Sequence, residues 1–121
     1  MTSILVIDDD NDFRMIVCAI LEGEGYQVDE ASEGGEGLDL YRASPTDVVL
    51  TDLIMPGQEG VETILELRKD FPKVRIIAMS GGGSAEPGSF LGFANKLGAS
   101  DTLEKPFSRD LLLQTIEKVL N

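Results

Sequence analysis

Apolar residues along this chain alternate between short continuous runs and longer segments with helical spacing. The continuous apolar runs, together with two shorter segments, predict strands over residues 3–7, 26–30, 47–51, 74–79 and 101–104. The helical spacing predicts helices over residues 11–24, 34–43, 58–70, 89–97 and 108–120. Strands that alternate with helices of this length indicate a parallel sheet covered by helices on both faces.

Glycine and proline mark the breaks between these segments. Ser44-Pro45-Thr46 ends one helix, and Gly98 closes another. Residues 81–88 contain four glycines and predict a mobile loop. General rules for such folds then predict right-handed crossovers and a doubly wound α/β sheet.

The length and composition predict one ordinary globular domain over residues 1–121. The chain is 42% apolar and 26% charged, and no apolar stretch approaches the roughly 20 residues that span a bilayer. The N-terminus lacks the pattern of a secretory signal, and the single cysteine, Cys18, lies among apolar residues, where we expect it to be buried. We therefore expect a cytoplasmic protein that does not contact membranes.

The net charge of −12 narrows the range of partners. Such a surface repels nucleic-acid phosphates and anionic lipids, so we expect no direct binding to nucleic acid. Part of the excess is concentrated in Asp8, Asp9, Asp10 and Asp12. Carboxylates this close favour a bound cation, although acids at the start of a helix are also common for structural reasons.

Four of the predicted strands end on residues suited to phosphate chemistry. The first runs into Asp8 and Asp9, the third into Asp52, the fourth into Ser80 and the fifth into Lys105. Ligands bind outside the carboxyl ends of parallel strands. Three carboxylates, a hydroxyl and an ammonium at that edge form a set that can bind Mg²⁺ together with a phosphoryl group.

The motifs at these strand ends resemble those of response-regulator receiver domains of two-component signalling. The matching stretches are ILVIDDD, VVLTDLIMPGQEG, IIAMSG and GASDTLEKPF, which occur in this order along the chain. The resemblance covers essentially the full length. It implies a flavodoxin-like sheet with strand order 2-1-3-4-5 and five helices, and a single-domain receiver without an output domain.

The resemblance assigns a role to each residue of the site. Asp52 matches the phosphoacceptor. Asp9 and Asp52 match residues that bind Mg²⁺ directly, Asp8 matches one that binds it through water, and the backbone carbonyl of Ile54 completes the metal ligands. Asp10 and Asp12 are better explained as a cap and a first-turn acid of a helix, so we leave them out of the site.

Two further residues match groups that bind the phosphoryl oxygens. Ser80 matches the hydroxyl donor, and Lys105 matches the lysine that neutralises the phosphoryl charge. In the family a cis bond to the following proline, here Pro106, directs this lysine into the site. One position departs from the pattern: Thr102 stands where the family usually has an aromatic residue that rotates on activation.

The resemblance implies a regulatory switch rather than a metabolic enzyme. Such a protein receives its phosphoryl group from a histidine kinase or a phosphotransfer protein and catalyses only its own phosphorylation and dephosphorylation. It then acts on a downstream protein target, as a monomer or as a phosphorylation-dependent dimer. The usual contact surface consists of residues 89–97, 101–104 and 108–120.

Other functions are compatible with parts of this pattern. A receiver-like module that is never phosphorylated would act through protein contacts alone, but it would not need all five polar residues. A phosphatase with an aspartate nucleophile usually has a second acid two residues later, where this chain has Ile54. A nucleotide-binding module would need a glycine-rich loop after the first strand, where this chain has DDDND.

Overall fold

The chain folds into a five-stranded parallel sheet with helices on both faces. A computed structural model describes residues 1–53, 59–80 and 96–121. The strands are β1 (Ser3–Ile7), β2 (Gln27–Ala31), β3 (Val48–Asp52), β4 (Ile76–Ser80) and β5 (Asp101–Glu104). The helices within these residues are α1 (Asn11–Gly23), α2 (Gly34–Ala43), α3 (Glu59–Asp70) and α4 (Arg109–Leu120).

The strands lie in the order β2-β1-β3-β4-β5, which confirms the predicted doubly wound fold. Every neighbouring pair is parallel. The chain therefore returns across the sheet between successive strands, and all carboxyl ends of the strands meet at one edge. We call this the carboxyl edge and the opposite one the amino edge.

Side chains alternate between the two faces of the central strands, which gives the protein two apolar clusters. Leu5 and Ile7 of β1 belong to one cluster, and Ile4 and Val6 belong to the other. Helices α2 and α3 cover the first cluster, while α1 and α4 cover the second. Because β3 and β4 are buried along their whole length, they form the centre of the protein, as their continuous apolar sequence predicts.

The predicted element bounds differ from the structure mainly at polar residues. Strand β3 includes Asp52 and β4 includes Ser80, whereas the predicted strands stop one residue earlier. The ladder continues because backbone bonding does not depend on the side chain: the Leu53 amide donates to the Met79 carbonyl over 2.8 Å. The glycine-rich loop and most of the helix predicted over 89–97 lie outside the described residues.

One smaller prediction is also confirmed. Cys18 is 4% exposed, and burial, followed by the charges of Glu30 and Glu22, raises the pKa of its thiol to about 11. Ser108 caps α4, because its hydroxyl accepts a hydrogen bond from the Leu111 amide over 3.0 Å. In the part of the chain that the structure describes, we find no helix long and apolar enough to cross a membrane.

Candidate functional site at the carboxyl edge of the sheet

The strand register brings the predicted site residues to the carboxyl edge at successive levels. Ile7 pairs with Thr51, so Asp8 and Asp52 extend from neighbouring strands at the same level. Asp52 pairs with Met79, which places Ser80 one residue further along. Glu104 pairs with Ser80, so that Lys105 follows one residue beyond it. The parallel sheet thus converts four separate strand ends into one group of side chains.

The three predicted carboxylates form an acidic cluster. One oxygen from each of Asp8, Asp9 and Asp52 lies within 4.8 Å of the others. Asp8 is fully buried, Asp52 is 4% exposed and Asp9 is exposed. A hard cation such as Mg²⁺ takes oxygen ligands from one or two carboxylates and keeps several waters. The donor set, with one side open to solvent at Asp9, fits that requirement.

Lys105 connects the two buried carboxylates. Its ammonium donates to Asp8 Oδ2 over 2.7 Å and to Asp52 Oδ2 over 3.1 Å. Burial lowers the pKa of this ammonium. Its hydrogen bonds and the charges of the two carboxylates raise the pKa by a larger amount, so the net shift is upward. Lys105 is therefore charged at neutral pH and partly balances the acidic cluster. The Lys105–Pro106 bond is cis, as the resemblance implied.

Ser80 lies at the end of β4 beside this cluster. It is 8% exposed, and its carbonyl accepts a hydrogen bond from the Lys105 amide over 2.8 Å. The backbone of Ser80 is therefore attached to the residue whose side chain reaches Asp8 and Asp52. This bond links the ends of β4 and β5 and fixes where Lys105 leaves the sheet.

Gly60, the second residue of α3, allows that helix to approach the end of β3 closely. A β-carbon at Gly60 would lie 2.3 Å from the Asp52 carbonyl oxygen and 2.4 Å from that of Leu53. No side-chain-bearing residue fits against backbone at these distances. The chain thus passes directly over the residue that carries the central carboxylate.

The remaining residues considered for the site are Ile54, Asp10 and Asp12. Ile54, whose carbonyl the resemblance assigns to the metal, lies outside the described residues. Asp10 is the N-cap of α1, because its side chain accepts from the Phe13 amide over 3.1 Å. Asp12 lies in the first turn of that helix, as expected.

Sequence reasoning missed two residues that contact the site. The Lys105 ammonium lies 4.3 Å from the centroid of the Phe13 ring. Arg14 donates to the Asp8 carbonyl over 2.6 Å and pairs with Glu30 over 2.9 Å. The helical spacing identified Phe13 only as an apolar position, and no local pattern distinguishes Arg14 from a solvated surface residue.

Comparisons with known proteins agree with the geometry. The family model for the response regulator receiver domain matches residues 4–117. PilH of Pseudomonas aeruginosa is 36% identical over 99% of this chain and 98% of its own length. The chemotaxis protein CheY of Bacillus subtilis is 34% identical over 98% of this chain and 97% of its own.

Longer relatives contain the same unit as one part. The chain spans 24% of a putative NtrX-like response regulator of Rickettsia bellii, at 31% identity and over 98% of its own length. Among solved structures, the chemotaxis protein CheY4 of Vibrio cholerae superposes with a TM-score of 0.89 at 30% identity, covering 99% of both chains. These similarities extend over the whole described sheet and its carboxyl edge.

Proposed function

Because this chain belongs to the response-regulator receiver family, we propose that it is a signalling switch in which Asp52 accepts a phosphoryl group. The donor is a histidine kinase or a phosphotransfer protein, and the phosphorylated form regulates a downstream protein. The observation that supports this most directly is the position of Asp52. Its carboxylate is nearly buried at the end of a central strand and is bonded to Lys105.

In this proposal a carboxylate oxygen of Asp52 is the nucleophile. It forms a bond to phosphorus while the bond from phosphorus to the donor's imidazole nitrogen breaks, and the electron pair leaves with that nitrogen. Asp52 attacks as a carboxylate, and the Lys105 ammonium is hydrogen-bonded to it over 3.1 Å. Lys105 and the Ser80 hydroxyl then bind the oxygens of the transferred group.

The acidic cluster would hold Mg²⁺. Asp9 and Asp52 would bind it directly, Asp8 would bind it through water, and the backbone carbonyl of Ile54 would supply a further oxygen. When bound, the cation neutralises charge on the phosphoryl oxygens. The chain's own contribution is to fix the carboxylates: the Asp10 amide donates to Asp8 Oδ1 over 2.9 Å, and Arg14 holds the Asp8 carbonyl.

Phosphorylation would change the charge balance at the edge of the sheet. An aspartyl phosphate brings about one to two negative charges into the site. In the unphosphorylated structure, Asp52 and Lys105 are paired there. Lys105 and Ser80 would reorient toward the new group. Because the Ser80 carbonyl is bonded to the Lys105 amide, a shift of either residue is transmitted to the other. Such a local change biases the conformation that a partner binds.

The decisive experiment measures the intact mass of the protein after incubation with Mg²⁺ and acetyl phosphate. We expect a gain of one phosphoryl group that hydroxylamine removes, because an acyl phosphate reacts with hydroxylamine. The gain should be absent from Asp52→Ala and from the wild type in excess chelator. Asp47→Ala is the matched control, since Asp47 is an exposed carboxylate just before the same strand.

The outcome separates the switch from a module that acts through contacts alone. A mass gain that persists in Asp52→Ala would place the modification elsewhere and contradict the proposal. If a folded wild-type protein gains no mass from acetyl phosphate, the assay is repeated with a phosphorylated histidine kinase. No transfer from either donor would favour the non-phosphorylated interaction module.

A further inference from the structure

The ring of Phe13 forms the third contact of the Lys105 ammonium. Two carboxylate oxygens accept hydrogen bonds from this ammonium at 2.7 and 3.1 Å, and the Phe13 centroid lies 4.3 Å from its nitrogen. The face of an aromatic ring carries negative charge, and it attracts a cation within about 6 Å. The side chain of Lys105 is only 16% exposed, so little water competes with this attraction.

Phe13 is held in place by contacts of both its backbone and its ring. Its backbone amide donates to the Asp10 carboxylate over 3.1 Å, which fixes the start of α1. The ring of Phe107 meets it edge to face, with centroids 5.5 Å apart and planes at 84°. Aromatic pairs favour this geometry because the positive edge of one ring meets the negative face of another.

Together these contacts form a closed ring of residues that begins and ends at Asp8. The Asp10 amide donates to Asp8 Oδ1, the Phe13 amide donates to Asp10, the Phe13 ring contacts Lys105, and Lys105 donates to Asp8 Oδ2. Asp10, which the sequence explained as a helix cap, thus also places the ring that faces Lys105. A closed set of contacts restricts each member more than a chain with an open end.

We propose that Phe13 is a positioning residue, whose ring holds the Lys105 ammonium between Asp8 and Asp52. This inference rests on the proposed function for its effect on phosphorylation, but the positioning itself is independent of it. A lysine has several rotatable bonds, and its ammonium can otherwise turn to solvent. The ring reduces that freedom, so Lys105 is already in place when a phosphoryl group arrives at Asp52.

Three variants test the proposal. Phe13→Leu keeps an apolar side chain but removes the aromatic face. Phe13→Trp keeps an aromatic face, which binds cations at least as well. Phe71→Leu is the matched control, because Phe71 packs edge to face on Tyr41 with centroids 4.8 Å apart, in the other apolar cluster. Among the described residues, no cation lies over its ring.

The first measurement is the NMR signal of the Lys105 ε-methylene group, recorded without a phosphodonor. We expect the ring current of Phe13 to move this signal upfield of the other lysines in the wild type. The shift should disappear in Phe13→Leu and persist in Phe71→Leu and Phe13→Trp. A Lys105 signal that is the same in Phe13→Leu and in the wild type would overturn the positioning role.

The second measurement is the rate of phosphorylation by acetyl phosphate. We expect Phe13→Leu to be slower by about fivefold, Phe13→Trp to stay within about twofold of the wild type, and Phe71→Leu to be unchanged. A wild-type rate in folded Phe13→Leu, or equal losses in the Leu and Trp variants, would contradict the inference. If the wild type accepts no phosphoryl group, the proposed function fails, and the NMR comparison alone decides whether Phe13 positions Lys105.

Discussion

The two edges of the sheet use the same kinds of polar residue in opposite ways. At the amino edge, the exposed Asp47 accepts hydrogen bonds from the Ser3 amide at 2.8 Å and the Ser3 hydroxyl at 3.3 Å. At the carboxyl edge, Asp8 and Asp52 are buried and bonded to Lys105. An aspartate at the amino edge therefore completes backbone bonding at the surface, whereas those at the carboxyl edge are bonded to another charged side chain.

The polar residues at the amino edge thus stabilise the fold, whereas those at the carboxyl edge are arranged for chemistry. Burying a charge is costly unless it is paired, so a fold that needs only stability avoids the arrangement at the carboxyl edge. The Lys105 ammonium is bonded to both Asp8 and Asp52, so the charge balance at this edge depends on one side chain that contacts two carboxylates. A cation or a newly arrived group can then change the balance, which the amino edge does not allow.

The largest effect is expected from adding a methyl group where the chain crosses the carboxyl edge. Gly60→Ala places a β-carbon 2.3 Å from the Asp52 carbonyl oxygen, against backbone that cannot rotate away. We expect the free energy of unfolding to fall by about 3 kcal/mol or more, because either α3 or the end of β3 must move. Urea unfolding followed by circular dichroism measures this loss.

Gly35→Ala is the control for that substitution. Gly35 also lies in a helix, but the nearest atom to its added β-carbon is Glu33 Oε1 at 4.0 Å. Alanine has the higher helix propensity, so the variant should be unchanged or more stable by up to about 1 kcal/mol. Equal stability of the two variants would show that α3 does not pack as closely on β3 as the structure indicates.

The next largest effect on stability depends on whether a positive or a negative side chain is removed at the carboxyl edge. Lys105→Met removes the ammonium that is bonded to the buried Asp8 and Asp52, and we expect the free energy of unfolding to fall by about 2 kcal/mol in the absence of Mg²⁺. Asp8→Asn removes one of two competing carboxylates and keeps Lys105 paired with Asp52. We expect its stability to stay within about 0.5 kcal/mol of the wild type or to rise.

The pH dependence of the Lys105→Met effect checks its origin. The folded state raises the pKa of Lys105, so the stabilisation is fully present below the unfolded value of about 10.4. It is lost as the pH rises through the higher folded value. The difference between wild type and Lys105→Met should therefore be constant from neutral pH to about pH 10 and shrink above it. A difference that already shrinks near neutral pH would contradict the ion-pair explanation.

The sequence predicted which strand ends meet at the carboxyl edge, but it did not predict the contacts between distant segments. The pattern predicted α2 over 34–43 and β5 over 101–104 with the bounds that the structure has. It also placed Asp8, Asp52 and Lys105 at one edge, because parallel strands align their carboxyl ends. The contact of Phe13 with Lys105 depends on how α1 packs beside the segment after β5, which no local spacing encodes.

The smallest effect is expected at the amino edge. Asp47→Ala removes the carboxylate that accepts from the Ser3 amide, and we expect a loss of about 1 kcal/mol, because that amide lies at the surface and can bond to water instead. The rate of phosphorylation by acetyl phosphate should not change. Ser3→Ala removes the 3.3 Å contact from the hydroxyl to the Asp47 carboxylate and the 3.2 Å bond that the hydroxyl accepts from the Asp47 amide. It should cost less, because the Asp47 amide keeps its bond to the Ser3 carbonyl at 3.0 Å. A large loss of phosphorylation in Asp47→Ala would mean that the two edges are coupled through β3. The polar residues of the amino edge would then affect the chemistry as well as the stability of the fold.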